Sequence, residues 1–127
     1  MATEGRQDLW SFRAAADLSA KQYHIVKLDA NGELVLAGAG DEGFVLADDP
    51  KSGEYGSVVV SGITKVVAGT AIAAGAYLSS DANGKAVPAT ETNVTGGTTG
   101  THIIGQALSS ASGANELVTV VVARGLA

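Results

Sequence analysis

None of the 127 residues is a cysteine. That excludes thiolate nucleophiles, disulfide staples and zinc–thiolate centres, and it suits a chain that stays inside a cell. Aromatic residues make up only 5% of the chain, too few to line a deep ligand pocket. Basic residues are also scarce: 8 Lys and Arg stand against 13 Asp and Glu, a net charge of −5. The electrostatic footprint of a nucleic-acid binder is therefore missing. No apolar run approaches the length of a membrane span, and "MATEGRQDLW" lacks the basic start and apolar stretch of a signal peptide. The expectation is a soluble protein, made and used without export, with neither nucleic acid nor membrane as partner.

What remains is glycine, alanine and valine. A chain of this length suits one domain that buries roughly two-thirds of its unfolded surface, so it needs no staple. Seventeen glycines against two prolines argue for many short strands joined by turns. In "SVVVSG" (57–62), Val58 and Val60 share one face while Ser57, Val59 and Ser61 share the other. In "LVTVVVARG" (117–125), Val118, Val120 and Val122 share a face, and Leu117, Thr119 and Val121 make an opposite face that is also largely apolar. Such a strand is either central or covered by a partner. Helix signals are weak: "LWSFRAAADLSAKQ" (9–22) has room for a turn or two but no sustained apolar stripe at helical spacing.

Two stretches repeat. "HIVKLDANGELVLA" (24–37) and "YLSSDANGKAVPA" (77–89) each read as strand, tight turn and strand. Asn31-Gly32 and Asn83-Gly84 supply the positive φ angles that hairpin turns require. After each hairpin comes a strand, a polar turn with Ser-Gly (Ser52-Gly53, Ser112-Gly113), then a valine-rich strand. Between the copies, "GITKVVAGTAIAAGA" carries Gly-Thr and Ala-Gly steps suited to sharp turns, and "TETNVTGGTTGT" (90–101) is a Thr/Gly insert read as a surface loop. The sequence predicts an all-β fold, a small barrel or sandwich of about eight short strands from two related β units, with an extended N-terminal arm. The arm is placed at 1–16 and a single β domain at 17–127, with pseudo-repeats at about 17–66 and 67–127.

Catalytic patterns are poor. "GAGDEG" (38–43) matches a dinucleotide fingerprint letter for letter, but a further strand, "FVLADDP", follows where a helix must begin, and Asp41 and Glu42 would repel phosphate. "DANGK" (81–85) ends like a phosphate-binding loop, yet Ser79 stands for its first glycine and Ala86 for its magnesium-binding hydroxyl. Asp29, Asn31 and Glu33 lack the spacing of a calcium loop. His24 and His102, the only histidines, sit on strands of different repeats without a local carboxylate cluster. Asp48 and Asp49 read as a turn before Pro50. The reading is no enzyme, no metal and no cofactor.

The N-terminal stretch "GRQDLWSFRAAADLSA" is the oddity. It holds the only tryptophan, Trp10, beside Phe12, Arg6 and Arg13, residue types enriched at interface anchors. These four, with Leu117 and Val121 on the second apolar face of the last strand, are the candidate contact residues. The alternative for Trp10 is a cap folded back on the barrel.

Taken in order, "FRAAADLSAKQYHIVKLDANGELVLAG", "GEYGSVVVSGITKVVAGTAIAAGAYLSSDANGKAV", "IIGQAL" and the closing valine strand resemble the small decoration, or capsid cement, proteins of tailed bacteriophages. The resemblance covers nearly the whole chain. It implies an all-β protein on the outer surface of the virion's icosahedral head. There it would bind the major capsid protein, often as a homotrimer, and clamp adjacent capsid subunits. The family has no catalytic motif to carry over. An alternative from another class is a glycan- or host-surface-binding β module displayed on a virion. That would need exposed aromatic platforms, for which Tyr55 and Tyr77 are present but isolated.

Overall fold

The computed structural model describes residues 7–89 and 102–126. Among them there is no helix and there are nine strands: β1 (Gln7–Arg13), β2 (Ile25–Leu28), β3 (Leu34–Leu36), β4 (Phe44–Leu46), β5 (Tyr55–Val67), β6 (Tyr77–Ser80), β7 (Ala86–Pro88), β8 (His102–Ala107) and β9 (Leu117–Leu126). They form one sheet in the order β3-β2-β4-β5-β9-β8-β6-β7, with β1 added on β5. The all-β expectation holds. The Thr/Gly insert 90–101 lies outside the described residues.

The sheet curls because its two ends meet. Ile25 N–H donates to the Gly84 carbonyl at 2.6 Å, Gly40 N–H to the Ser80 carbonyl at 2.9 Å and His102 N–H to the Gly40 carbonyl at 3.1 Å. Backbone groups that would otherwise lie along open strand edges are satisfied across the closure. The "GAGDEG" loop is thus a suture between the two halves of the chain.

The duplication is visible in the topology, since β3-β2-β4-β5 and β7-β6-β8-β9 run in the same order from each end. Individual bonds repeat too. Tyr23 N–H to Leu46 O (2.7 Å) matches Gly75 N–H to Ala107 O (2.7 Å), and Leu18 N–H to Pro50 O (2.9 Å) matches Ile72 N–H to Ala111 O (2.9 Å). Ala14 N–H to Glu54 O (2.8 Å) matches Ala68 N–H to Glu116 O (2.8 Å). By this correspondence β1 stands to the first unit as Gly62–Val67 of β5 stands to the second. β5 therefore closes one unit and opens the next. Gly62, at φ +110°, is the junction, paired with both Gln7 and Val122.

Two core clusters follow from this plan. Ala14, Leu18, Val26, Leu34, Leu46 and Val58 form the smaller one, in the first unit. The larger contains the second unit's Ala68, Ile72, Leu78, Ala86, Ala107 and Val120, joined by Ile25, Val45 and Val59 from the first. Val58 and Val59, adjacent on β5, point to opposite faces and enter different clusters, so this strand is apolar on both sides because both sides are buried.

Three local expectations are corrected. The stretch 9–22 makes no helix: Leu9 to Arg13 are strand, and turns follow. Seven register pairs with β5 outweigh a weak helix propensity. The link "GITKVVAGTAIAAGA" begins as the second half of β5, and only from Gly69 onward does it bend. Finally, Gly32 and Gly84 lie at φ +73°, but Asn31 and Asn83 do not take positive φ. Asp29 Oδ1 accepts the N–H of Asn31 (2.9 Å) and Glu33 (3.0 Å), and Asp81 Oδ1 accepts those of Asn83 (2.8 Å) and Lys85 (2.9 Å). The carboxylates hold the turn, so only the glycine must be left-handed.

Candidate interaction surface

β1 carries the most conspicuous surface. Along a strand, neighbours point to opposite sides, so Trp10 and Phe12 share one face while Leu9, Ser11 and Arg13 share the other. Phe12 is half-buried against the smaller core, whereas Trp10 is 63% exposed and Leu9 50%. The rings of Trp10 and Phe12 lie 6.4 Å apart, and those of Phe12 and Phe44 6.3 Å, each pair inclined by 20°. This makes a row of three nearly parallel aromatic rings running from β1 towards β4. Across from Arg13 on β5 stands Tyr55, also exposed. The Arg13 guanidinium pairs with Glu33 beside the first turn. Arg6 lies outside the described residues.

Trp10 does not fold back as a buried cap. It projects from a strand anchored by Phe12 and by the ladder to β5. Of the functional candidates here, Leu9 and Phe44 were not singled out from the sequence; the period-two alternation of Trp10, Ser11, Phe12 and Arg13 is the signal that could have found the strand.

The last strand is central, held between β5 and β8. Val118, Val120 and Val122 are buried. On its other face Thr119 is buried, Val121 is half-buried opposite Ile63 and Gln106, and Leu117 is exposed. Trp10 and Leu117 thus belong to different units, and the sequence candidates form two surfaces.

Charged groups gather at a cleft of about 470 Å³ lined by Lys27, Leu28, Asp41, Glu42, Phe44 and His102. Lys27 Nζ lies 2.7 Å from Asp41 Oδ2, which also accepts the Gly38 N–H at 2.9 Å. The Lys27 hydrogen bond, helped by the Gly38 amide, holds the Asp41 carboxyl below its usual value. His102 Nδ1 sits 3.1 Å from the Gly40 carbonyl oxygen. These contacts fix the suture loop in place and give Asp41 and His102 structural partners.

His24 is buried, with Nδ1 3.3 Å from the Gln22 carbonyl oxygen, and burial lowers its pKa. Burial raises the pKa of Asp48, opposed by the Ser57 N–H that it accepts. Among the described residues no group of three His, Cys, Asp or Glu is placed to hold a metal ion. No described helix is long and apolar enough to cross a membrane.

Comparison with known proteins agrees with the architecture. The N base of head fiber gp8.5 in bacteriophage phi29, a crystal structure, superposes with a TM-score of 0.67 at 21% identity. The match covers 93% of this chain and 95% of that one, and it supports the fold. A search of curated proteins found no match. The family model for phage cement proteins matches residues 12–124, which spans both units from Phe12 on β1 into β9. The chain belongs to the phage cement protein family and is a structural component of the phage head.

Proposed function

We propose that the protein binds the outer surface of the assembled capsid and stabilises it, without catalysis and without a cofactor, by clamping adjacent subunits of the major capsid protein. It acts as a homotrimer on the lattice. The observation that carries this reading is the exposed apolar edge of β1, with Leu9 and Trp10 presented on a strand locked to β5. Family membership supports the same reading.

The physical argument is one of linkage and valency. A ligand that binds only the assembled lattice stabilises that lattice by mass action. Contacts that are individually modest become strong in aggregate when a symmetric oligomer engages several at once. Trp10 is suited to such a contact, because a tryptophan buries a large area for little lost side-chain freedom.

The test is to add purified protein to undecorated and to unassembled capsid protein. Binding to closed heads, with little or none to free subunits, is the expected result. Equal binding to both, or none to heads, removes the cement reading.

A further inference from the structure

Among the described residues, the duplicated chain uses one of its internal interfaces once and leaves the matching surfaces open. Ile25, Val45 and Val59 of the first unit are fully buried in the core of the second. The hairpin and strand registers make Tyr77, Gln106 and Val121 their equivalents in the second unit. Among the described residues, none covers those three in the same way. Tyr77 is 57% exposed, and Gln106 and Val121 are half-buried.

The receiving side shows the same imbalance. At the second turn, a Cβ on Gly84 would meet the Ile25 carbonyl oxygen at 2.7 Å and the Leu36 side chain at 2.6 Å. At the identical first turn, a Cβ on Gly32 would meet nothing within 4 Å. Thr64 and Val66 of β5 are fully buried, and their register equivalents on β1 are Trp10 and Phe12. Each molecule therefore has a plug on its second unit and a seat on its first, neither filled by a described residue.

We propose that a second copy of this chain docks its Tyr77–Gln106–Val121 surface against the Trp10 and Gly32 side of the first. The contact repeats between molecules the packing that joins the units within one. Phe12 and Phe44 stand where the second unit has Val66 and Gly105, so they close over the smaller core. The neighbour then packs on an aromatic rim instead of entering that core. Tyr, Trp and Phe are the residue types favoured at such contacts. The interface is heterologous, with different patches on the two copies, and it closes into a ring if the rotation permits. The proposal deepens the oligomeric part of the function above and rests on that reading for its purpose, not for its geometry.

The experiment uses the full chain in solution, without capsids. Trp10→Glu spoils the seat and Tyr77→Glu spoils the plug. Both residues are exposed, and unchanged thermal melting confirms that each variant folds. The parent protein should sediment as an oligomer at high concentration and each variant alone as a monomer. An equimolar mixture of the two should give a heterodimer, because one intact plug meets one intact seat. A parent that stays monomeric at every concentration overturns the proposal. So does a mixture that shows only monomers while the parent associates, which marks a contact using the same patch twice. Head binding by a parent that remains monomeric would leave the cement function standing while this interface falls. Association without head binding would do the reverse.

Discussion

Ile25 donates its amide hydrogen to the carbonyl of Gly84, binding the second hairpin turn to the first unit. The first hairpin has no such seat at Gly32, although both glycines have φ +73°. Replacing Gly32 with alanine should therefore cost only the left-handed penalty, about 1 kcal/mol. Gly84→Ala adds a clash with backbone and with Leu36, for a total of about 3 kcal/mol or more. Urea unfolding of the two variants checks this. Equal losses would show that the turns are not seated differently.

The carboxylates of the two turns yield a second prediction. Asp81 accepts two backbone N–H groups, so Asp81→Ala should cost about 1–2 kcal/mol. Asp81→Asn keeps a side-chain acceptor and should retain most of that stability. Thermal melts of both variants decide it, and an asparagine variant as weak as the alanine one would assign the effect to charge instead of turn geometry.

Much of this architecture was legible in the sequence, and the exceptions have physical causes. The repeated Asp-Ala-Asn-Gly turns and the period-two valines locate two β units because turn chemistry and strand alternation are local signals. β1 was not legible as part of the sheet. Its strand state depends on Tyr55–Gly62, more than forty residues away, as the register pair Gln7 with Gly62 shows. Tyr23 gave no sign of its φ of +65°, which local preference opposes; only its equivalence to Gly75, at φ +89°, explains the position. The second unit's counterpart of Gly53 proved to be Asn115, not Gly113, because both lie at positive φ and donate to matching alanine carbonyls. The contact residues were recognised by type, but their division between two surfaces required the topology.

His24 predicts a pH dependence. Burial, reinforced by the charges of Lys21 and Lys85 and opposed by the Gln22 carbonyl, lowers its pKa in the folded protein. The unfolded chain then takes up a proton at a pH where the folded chain still refuses it. Stability should fall as pH drops through about 6.5, the ordinary histidine value, towards the lower folded value. His24→Gln should flatten that part of the profile. Urea midpoints from pH 7.5 to 5 for both proteins, with buffers of constant ionic strength, make the comparison. Parallel profiles would assign the acid sensitivity to other groups.

The last prediction separates folding from cementing on a single strand. Deleting β1 would not do so, because it strips the partner from Tyr55–Gly62 and removes Phe12 from the smaller core. Point substitutions are cleaner. Phe12→Ala removes half-buried packing and should cost about 2 kcal/mol of folding stability. Trp10→Ala changes a largely exposed side chain, so its effect on folding should stay within about 0.5 kcal/mol. If Trp10 contributes to cementing, on the capsid itself or at the contact between copies, the order reverses on heads: Trp10→Ala should bind them weakly even when fully folded. Phe12→Ala should bind better than Trp10→Ala at temperatures where it remains folded. Survival of heads under heating, with parent protein, each variant or none, supplies the readout. Protection by Trp10→Ala equal to that of the parent would take Trp10 out of the contact. Binding by the parent without added survival would remove the stabilising role itself, since a ligand selective for the closed lattice must shift the lattice equilibrium towards it.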